Sequence, residues 1–242
     1  EIRLSLVGSE MCIRDRDITV LSFSDSSMVD RNSSIIKVDS GWIVYSKNSE
    51  SSILSFTSDG QFSGYIGHRG NGPGEYTSVY DVVVNQKSKV LEVLSDGGIF
   101  CYTFGGDFLD KKEVTYPAFS FAIDDRQNYW FYVGNNTTYG DAKMICTDEN
   151  IANVAYYLHQ KSNMLPMVEN NFGRNGEWLT FHESLNHDLY TIENGKLDLS
   201  YAMDFPNYKL PKKLHELSGM EVIEELQRSN YCLLYTSDAA DE

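Results

Sequence analysis

Histidine, acid and hydroxyl side chains come together in the stretch FHESLNH, at residues 181–187. His182, Glu183 and His187 could ligate a metal ion, and Ser184 near His182 could serve as a nucleophile. The spacing is not the HExxH pattern that places two histidines on one helical face, and no GxSxG turn is present. The stretch therefore indicates turn and surface residues rather than a metal site or a catalytic triad.

Acidic residues also recur at predicted turns, which raises the question of calcium. Calcium prefers clustered oxygen ligands, which could come from Asp124 and Asp125, from Asp141, or from Asp148 and Glu149. No Asp-x-Asp-x-Asp-Gly loop is present, and aspartate favours turns because its side chain bonds nearby backbone amides. The sequence predicts no cofactor, with calcium as the alternative.

Seven residues are candidates for ligand binding. Four lie in the glycine-rich stretch IGHRGNGPGEY at residues 66–76, and three are aromatic residues that open predicted structural units. Loops on a rigid scaffold often carry function, so these side chains could contact a ligand at the mouth of a channel. The candidates are His68, Arg69, Glu75, Tyr76, Tyr80, Phe119 and Trp178.

The elements that must position these residues follow from the turns. Gly60, Gly106, Asn150 and Gly195 each lie between two short apolar-rich runs, in steps of 46, 44 and 45 residues. Other turn signals fall in the same period, so each unit contains three turns and four strands. Four short antiparallel strands that recur every ~45 residues are typical of β-propeller blades, whereas a β-sandwich has irregular spacing.

The sequence therefore predicts an all-β fold, a β-propeller of four-stranded blades, within residues 17–231. The blades are predicted near residues 33–66, 79–114, 119–159 and 163–204. A helix is predicted near residues 211–229, where apolar residues follow helical spacing. Because ring closure normally covers the blade faces, the outer face of the fourth blade is expected to be apolar and uncovered.

The glycine-rich stretch has a place in this scheme. It lies between the last strand of the first unit and the first strand of the second, where the chain crosses from the rim to the axis. Its glycines can adopt positive φ, and Pro73 fixes one φ. No Lys-Ser/Thr pair and no helical pattern follows, which argues against a phosphate-binding loop.

Residues 65–84, YIGHRGNGPGEYTSVYDVVV, resemble the connector of NHL-like repeats, and still more that of a six-bladed β-propeller family of gut Gram-negative bacteria. Residues 189–211 resemble the hairpin of that family and its exit towards a helix. The resemblance covers most of residues 33–217 and implies six blades, of which this chain contains about four. It also implies a periplasmic or cell-surface protein that is lipid-anchored at its N-terminus, and it transfers no catalytic residue.

Both ends of the chain resemble translated sequencing-adapter sequence. The resemblance covers residues 1–16 and 232–242. Two of the four cysteines fall inside these segments, and the remaining Cys101 and Cys146 lack CxxC spacing. These two are expected to be small buried side chains rather than a disulfide framework or a zinc site.

Composition excludes several classes of function. The net charge of −15 argues against nucleic acid and anionic membranes, because such a field repels phosphates. No apolar run is long enough to span a membrane. With no catalytic constellation, the sequence favours a cell-envelope module that binds a glycan, a peptide or an envelope protein. The alternative is a metal-assisted hydrolase or lyase with its site in the central channel.

Overall fold

A computed structural model of the chain shows four antiparallel sheets, each with four strands that follow one another in chain order. The described residues therefore confirm the prediction of an all-β propeller made of four-stranded blades. The structure describes residues 19–23, 29, 33–47, 52–134, 141–159, 170–176, 178–183, 186–204, 217, 221–222 and 224–225.

The first two blades are joined by a short parallel pair of strands. Blade 1 consists of β1 (Ser34–Val38), β2 (Gly41–Tyr45), β3 (Ile53–Thr57) and β4 (Phe62–Ile66). The parallel pair, β5 (His68–Arg69) and β6 (Glu75–Tyr76), lies within the connector. Blade 2 consists of β7 (Asp81–Asn85), β8 (Val90–Ser95), β9 (Gly98–Tyr102) and β10 (Phe108–Lys112).

The other two blades repeat the same order. Blade 3 consists of β11 (Ser120–Ile123), β12 (Tyr129–Tyr132), β13 (Ala142–Thr147) and β14 (Ala155–His159). Blade 4 consists of β15 (Phe172–Asn175), β16 (Trp178–His182), β17 (Asp188–Glu193) and β18 (Lys196–Ala202). In every blade the periodic turn residue, from Gly60 to Gly195, lies between the third and fourth strands.

The first strand of each blade lies on the inside of the propeller, and apolar clusters join successive blades. Strand β7 contacts β11, and β11 contacts β15. Away from the axis, the second and third strands supply the residues that fill each blade junction. Representative buried residues are Ile43 and Leu91 between blades 1 and 2, Ile99 and Phe131 between blades 2 and 3, and Met144 and Phe181 between blades 3 and 4.

The aromatic strand β12 shows how alternation builds two junctions at once. Tyr129 and Phe131 belong to the cluster shared with blade 2, whereas Trp130 and Tyr132 belong to the cluster shared with blade 4. Successive side chains of a strand point to opposite faces, so one strand can supply both interfaces. All four rings are buried, so core packing accounts for this aromatic run.

Two glycines allow the connector between blades 1 and 2 to pass close against blade 2. Gly67 and Gly74 have φ values of 62° and 73°. A Cβ atom at Gly74 would lie 2.5 Å from the ring of Phe108, and one at Gly67 would lie 2.7 Å from the ring of Tyr102. The Tyr102 hydroxyl also donates to the Gly74 carbonyl at 2.8 Å. Glycine is therefore required by both the backbone conformation and the space.

The structure covers only part of the predicted C-terminal helix. Residues 221–222 and 224–225 are helical, and the remainder of residues 211–229 lies almost wholly outside the described part of the chain. Both ends that resemble adapter sequence also lie outside it. Within the described part, no helix has the length and apolar character that crossing a membrane requires.

Candidate functional site

The first strands of the four blades surround an axial cleft of about 480 Å³. Its charged lining residues are Lys47, Asp81 and Arg174. Lys47 and Asp81 form a largely buried ion pair with 2.9 Å between Nζ and Oδ1. The Arg174 guanidinium donates to the carbonyl of Ile123 in the neighbouring blade. These charges therefore make contacts between blades.

Asp81 connects three blades at the inner edge. It begins β7, pairs with Lys47 of blade 1, and accepts the backbone amide of Phe121 in blade 3 at 3.1 Å. Burial, together with the nearby Asp81 carboxylate, raises the pKa of Tyr45 far above its usual range. Tyr45 thus remains a neutral hydroxyl beside the ion pair, and the arrangement holds the inner strands in register.

A second buried carboxylate lies at the junction between blades 2 and 3. Glu92 accepts the Tyr129 hydroxyl at 2.8 Å, and the Lys112 ammonium lies 3.9 Å from its Oε1. Burial, followed by the charge of Glu92, raises the pKa of Tyr129 beyond its usual range and that of Cys101 to about 12. The cysteine is therefore a neutral packing residue, as the sequence predicted.

The same combination of groups recurs between blades 3 and 4. Glu183 pairs with Lys143 at 2.8 Å and accepts the Tyr132 hydroxyl at 2.8 Å. The side chains of Lys143 and Glu183 are 3% and 8% exposed. Each of the three blade junctions thus contains a carboxylate, a lysine and a tyrosine, and buried charges of this kind occur where they are paired.

A different kind of cleft opens between blades 2 and 3, where residues 113–119 meet the turn after β8. Its volume is about 390 Å³. It is lined by three aromatic residues, Tyr80, Tyr116 and Phe119, and by Asp96. We term the cleft defined by these four residues the aromatic cleft. Its apolar floor includes the buried Leu94 and Ala118.

Backbone hydrogen bonds fix the aromatic side chains of this cleft in place. Tyr80 directly precedes β7, and its amide donates to the Leu94 carbonyl at 2.9 Å. Phe119 directly precedes β11, and its amide donates to the Tyr132 carbonyl at 2.9 Å. The sequence predicted that both residues open a unit, and the structure brings them together at one junction.

Asp96 supplies the charge of the aromatic cleft. Its Oδ1 accepts the Tyr80 hydroxyl at 2.6 Å, and its Oδ2 accepts the hydroxyls of Thr77 at 2.8 Å and Ser78 at 2.9 Å. The hydrogen bond from Tyr80, aided by those from Thr77 and Ser78, lowers the pKa of Asp96. The same bond raises the pKa of Tyr80. At neutral pH the cleft therefore contains a carboxylate beside a neutral phenol.

The four candidates from the glycine-rich connector do not line the aromatic cleft. Tyr76 is 1% exposed and belongs to the core between blades 1 and 2. Glu75 accepts a backbone amide of its own loop at 2.8 Å, and Arg69 donates to a connector carbonyl at 2.9 Å. His68 is exposed on the surface. Three of the four thus contribute contacts that shape the connector or the core.

Trp178 lies at the opposite end of its blade from the position that the sequence predicted. It begins β16 and pairs with Asn175, the last residue of the first strand, whereas Tyr80 and Phe119 precede first strands. The turn before Trp178 lies inside the blade and does not open it. Trp178 is 66% exposed and lines a separate cleft of about 800 Å³ together with Tyr201.

The outer face of blade 4 is more polar than the sequence led us to expect. Thr180, Thr191 and Asp198 are paired across three neighbouring strands of this face. Alternation sends Leu179 and Phe181 towards blade 3, and it leaves the threonines on the other side. Exposed aromatic rings flank this polar row, so the predicted apolar face is apolar only at its margins.

No group of three His, Cys, Asp or Glu side chains among the described residues is placed to hold a metal ion. Asp124 and Asp148 each accept backbone amides of their own turns. Asp141 pairs with the exposed His159 at 2.9 Å, and Ser184 lies outside the described residues. The acids at these turns thus have the local roles that turn chemistry predicts.

Sequence reasoning did not identify Asp96 or Tyr116 as candidate site residues. The stretch SDGG at residues 95–98 indicated only a turn, and Tyr116 lay in an unassigned connector. The one available sequence signal for Asp96 is the pair of hydroxyl residues Thr77 and Ser78, just before Tyr80. Their hydroxyls donate to Asp96, which lies 19 and 18 residues further along the chain. That pairing becomes evident only once the blade has brought turn and connector to the same edge.

The solved structures that resemble this chain include the following three. A Bacteroides fragilis NCTC 9343 protein described as exported matches with a TM-score of 0.75 and 15% identity, over 88% of this chain and 63% of that one. A DUF4221 member from Bacteroides vulgatus ATCC 8482 has a TM-score of 0.51 and 10% identity, covering 76% and 61% of the two chains. A streptogramin B lyase has a TM-score of 0.50 and 17% identity, covering 75% and 57%. These likenesses show the fold, and this chain spans less than two thirds of each structure's length.

The amino-acid sequence itself identifies a family. No curated protein matches it. Residues 15–241 match DUF4934, a domain of unknown function. The match extends into both ends that resemble adapter sequence, so that interpretation stays a prediction. Because the match covers nearly the whole chain, this protein belongs to the DUF4934 family.

Proposed function

We propose that the protein is a binding module of the cell envelope and that the aromatic cleft is its ligand site. The observation that carries this proposal is that Tyr80, Tyr116 and Phe119 line one cleft together with Asp96 at a blade junction. Ligand sites are concave, largely apolar and aromatic, with a few placed polar groups, and their volumes run from roughly 300 to 1,000 Å³. The aromatic cleft has this composition and, at about 390 Å³, this size.

The position of the cleft supports the proposal. It lies between blades 2 and 3, each of which has a neighbouring blade on both sides, so its walls are internal parts of the described propeller. Phe119 is an apolar ring that remains 38% exposed at the rim, although its backbone is hydrogen-bonded in place. An exposed ring on a fixed backbone can contact a ligand with little loss of conformational entropy.

The complete protein is proposed to contain six NHL-like blades and to reside in the periplasm or at the cell surface, held by a lipid anchor. The resemblance of residues 65–84 to a six-bladed family supports this proposal. The partial coverage of the Bacteroides fragilis structure supports it too, as does the description of that protein as exported. A glycan, a peptide or an envelope protein is the proposed class of ligand.

Binding screens on the full-length protein test the proposed function. Glycan arrays, peptide arrays and envelope extracts would be probed with the wild type and with Phe119→Ala. The matched control is Tyr156→Ala, which removes another exposed ring, 46% exposed, from β14. We expect Phe119→Ala to weaken binding about tenfold or more and the control to leave it unchanged, because buried aromatic contacts dominate interfaces.

Two results would contradict the proposal. A ligand that binds Phe119→Ala as tightly as the wild type would exclude the aromatic cleft as its site. Absence of any ligand from all three screens would count against a binding module. Elemental analysis of the same preparation tests the proposed calcium alternative, since stoichiometric calcium after dialysis would favour a metal-assisted hydrolase or lyase.

A further inference from the structure

We infer that the aromatic cleft binds an alkylammonium group, with three aromatic rings around the cation and the Asp96 carboxylate as its counter-ion. This inference rests on the proposed function and names the chemistry of its ligand. It follows from which side chains line the cleft and from how each is held.

Among the described residues that line the cleft, Asp96 is the charged one, and none is a lysine or an arginine. Its carboxylate is exposed at the start of the turn between β8 and β9. Hydroxyl groups of Thr77, Ser78 and Tyr80 orient it. The Lys111 ammonium lies near this turn, 3.5 Å from where a Cβ of Gly97 would stand, but it lies over the Phe100 ring and forms no ion pair with Asp96 among the described residues. The Asp96 carboxylate thus has hydroxyl partners and no paired cation there, which complements a ligand with one positive charge.

The rings favour the same ligand. A cation near the face of a tyrosine or phenylalanine ring, within roughly 6 Å of its centroid, is attracted by the quadrupole of the ring, and aromatic cages bind ammonium groups in this way. Tyr80 donates its proton towards Asp96 at 2.6 Å, which increases the electron density of its ring. Phe119 offers an exposed ring with no polar atom that would compete for the ligand.

The charge of the whole chain acts in the same direction. A net charge of −15 produces a field that attracts cations and repels anions. An anionic ligand would meet both this field and the Asp96 carboxylate. A neutral sugar could stack on the rings, but it would leave the charge of Asp96 without a partner.

Two sources can supply an alkylammonium group. One is a small free amine, and the other is the side chain of a lysine in a peptide. The probes for the first are n-butylammonium and its neutral analogue n-butanol. The probes for the second are a short lysine peptide and the same peptide with an acetylated lysine, which has lost the charge.

Ligand-observed NMR titrations of the full-length protein would measure the affinities. We expect n-butylammonium to bind at least about tenfold more tightly than n-butanol. A lysine peptide that binds more tightly than n-butylammonium, and loses that affinity on acetylation, would identify a peptide as the source. Equal affinities for the amine and the peptide would identify a free amine.

Asp96→Asn removes the counter-ion, and we expect it to lower the affinity for n-butylammonium about tenfold or more while leaving that for n-butanol unchanged. Asp107→Asn is the matched control, because Asp107 is another turn aspartate that accepts a threonine hydroxyl, at 3.3 Å, outside the cleft. Phe119→Leu provides a second variant that keeps an apolar side chain but removes a ring. It should abolish most of the preference for the cation.

The results separate this inference from the proposed function. Equal affinity for n-butanol and n-butylammonium, or unchanged cation binding by both Asp96→Asn and Phe119→Leu, would overturn the ammonium assignment. A glycan or other neutral ligand that is lost in Phe119→Ala, without any ammonium binding, would also overturn it but would leave the binding module in place. A lack of any Phe119-dependent binding would overturn both.

Discussion

Replacing Lys143 with methionine would remove the positive charge that faces Glu183 inside the junction between blades 3 and 4. The two groups are 2.8 Å apart, and their side chains are 3% and 8% exposed. Methionine has a similar length and keeps most of the packing. After the replacement, Glu183 would be a buried carboxylate that still accepts the Tyr132 hydroxyl, at 2.8 Å, but faces no positive charge from position 143.

The expected loss of unfolding free energy is about 3 kcal/mol, the lower end of the range for breaking one side of a buried pair. The lower end applies because the hydrogen bond from Tyr132 remains. For a chain of this size, each kcal/mol corresponds to about 2–4 °C in the melting temperature, so we expect a decrease of about 6–12 °C. Urea unfolding followed by circular dichroism would measure the free energy directly.

Two further variants make the measurement decisive. Lys89 pairs with Asp39 at 2.9 Å, close to the 2.8 Å of Lys143 and Glu183, but the two side chains are 53% and 78% exposed. Lys89→Met should therefore cost only about 0–1 kcal/mol. Lys143→Met combined with Glu183→Gln should recover much of the loss, because no unpaired charge remains inside the junction.

Either of two results would contradict this role of the buried ion pair. One is a Lys143→Met variant that loses no more stability than Lys89→Met, which would mean that burial does not strengthen the pair. The other is a double variant that is no more stable than Lys143→Met, which would mean that the unpaired carboxylate is not the cause of the loss.

Three further predictions follow from the backbone, the cysteines and a histidine. Gly106 has a φ of 100°, and a Cβ atom there would lie 2.5 Å from a backbone carbonyl oxygen of blade 1. Gly106→Ala should therefore lower the free energy of unfolding, measured in urea, by about 1–3 kcal/mol. Gly105→Ala, which meets no such contact, should cost less than about 1 kcal/mol, and equal losses would contradict the argument. Burial raises the pKa of both Cys101 and Cys146 to about 12, so iodoacetamide at about pH 8 should label these thiols only after unfolding. Peptide mass spectrometry would measure the labelling, and rapid labelling of either thiol in the native protein would contradict the prediction. Burial lowers the pKa of His182 below its ordinary 6.5, so on acidification the unfolded chain binds a proton at His182 before the folded protein does. Between about pH 7 and pH 5 the wild type should therefore lose more unfolding free energy than His182→Asn. Parallel stability–pH curves for the two proteins would exclude this effect.

Much of the fold could be predicted because its determinants are local. The turn residues Gly60, Gly106, Asn150 and Gly195 mark a hairpin at the same place in every blade, and alternating apolar runs flank them. Turn chemistry and alternation act over a few residues, so they can be read without knowledge of distant contacts. Trp178 was misplaced because a turn inside a blade and a turn that opens one have the same composition.

Less of the candidate site could be predicted. Tyr80 and Phe119 were identified because each directly precedes a first strand, which is a local property. Asp96 and Tyr116 were missed because their importance depends on the stacking of blade 3 against blade 2. The lysine partners of Glu92 and Glu183 were equally hidden, since each lies on a different strand or blade.

The sequence by itself determined the repeat, the strand order within each blade and the residues that face the core, because these depend on turns and on the two-residue period of strands. The tertiary structure alone decided which side chains meet across blade junctions. It placed Tyr80, Asp96, Tyr116 and Phe119 around one cleft and sent Trp178 to another. The physical reason is that stacking brings together residues far apart in the chain, such as Tyr129 and Glu92, 37 positions apart, or Tyr132 and Glu183, 51 positions apart, and no local pattern encodes which of them will be neighbours.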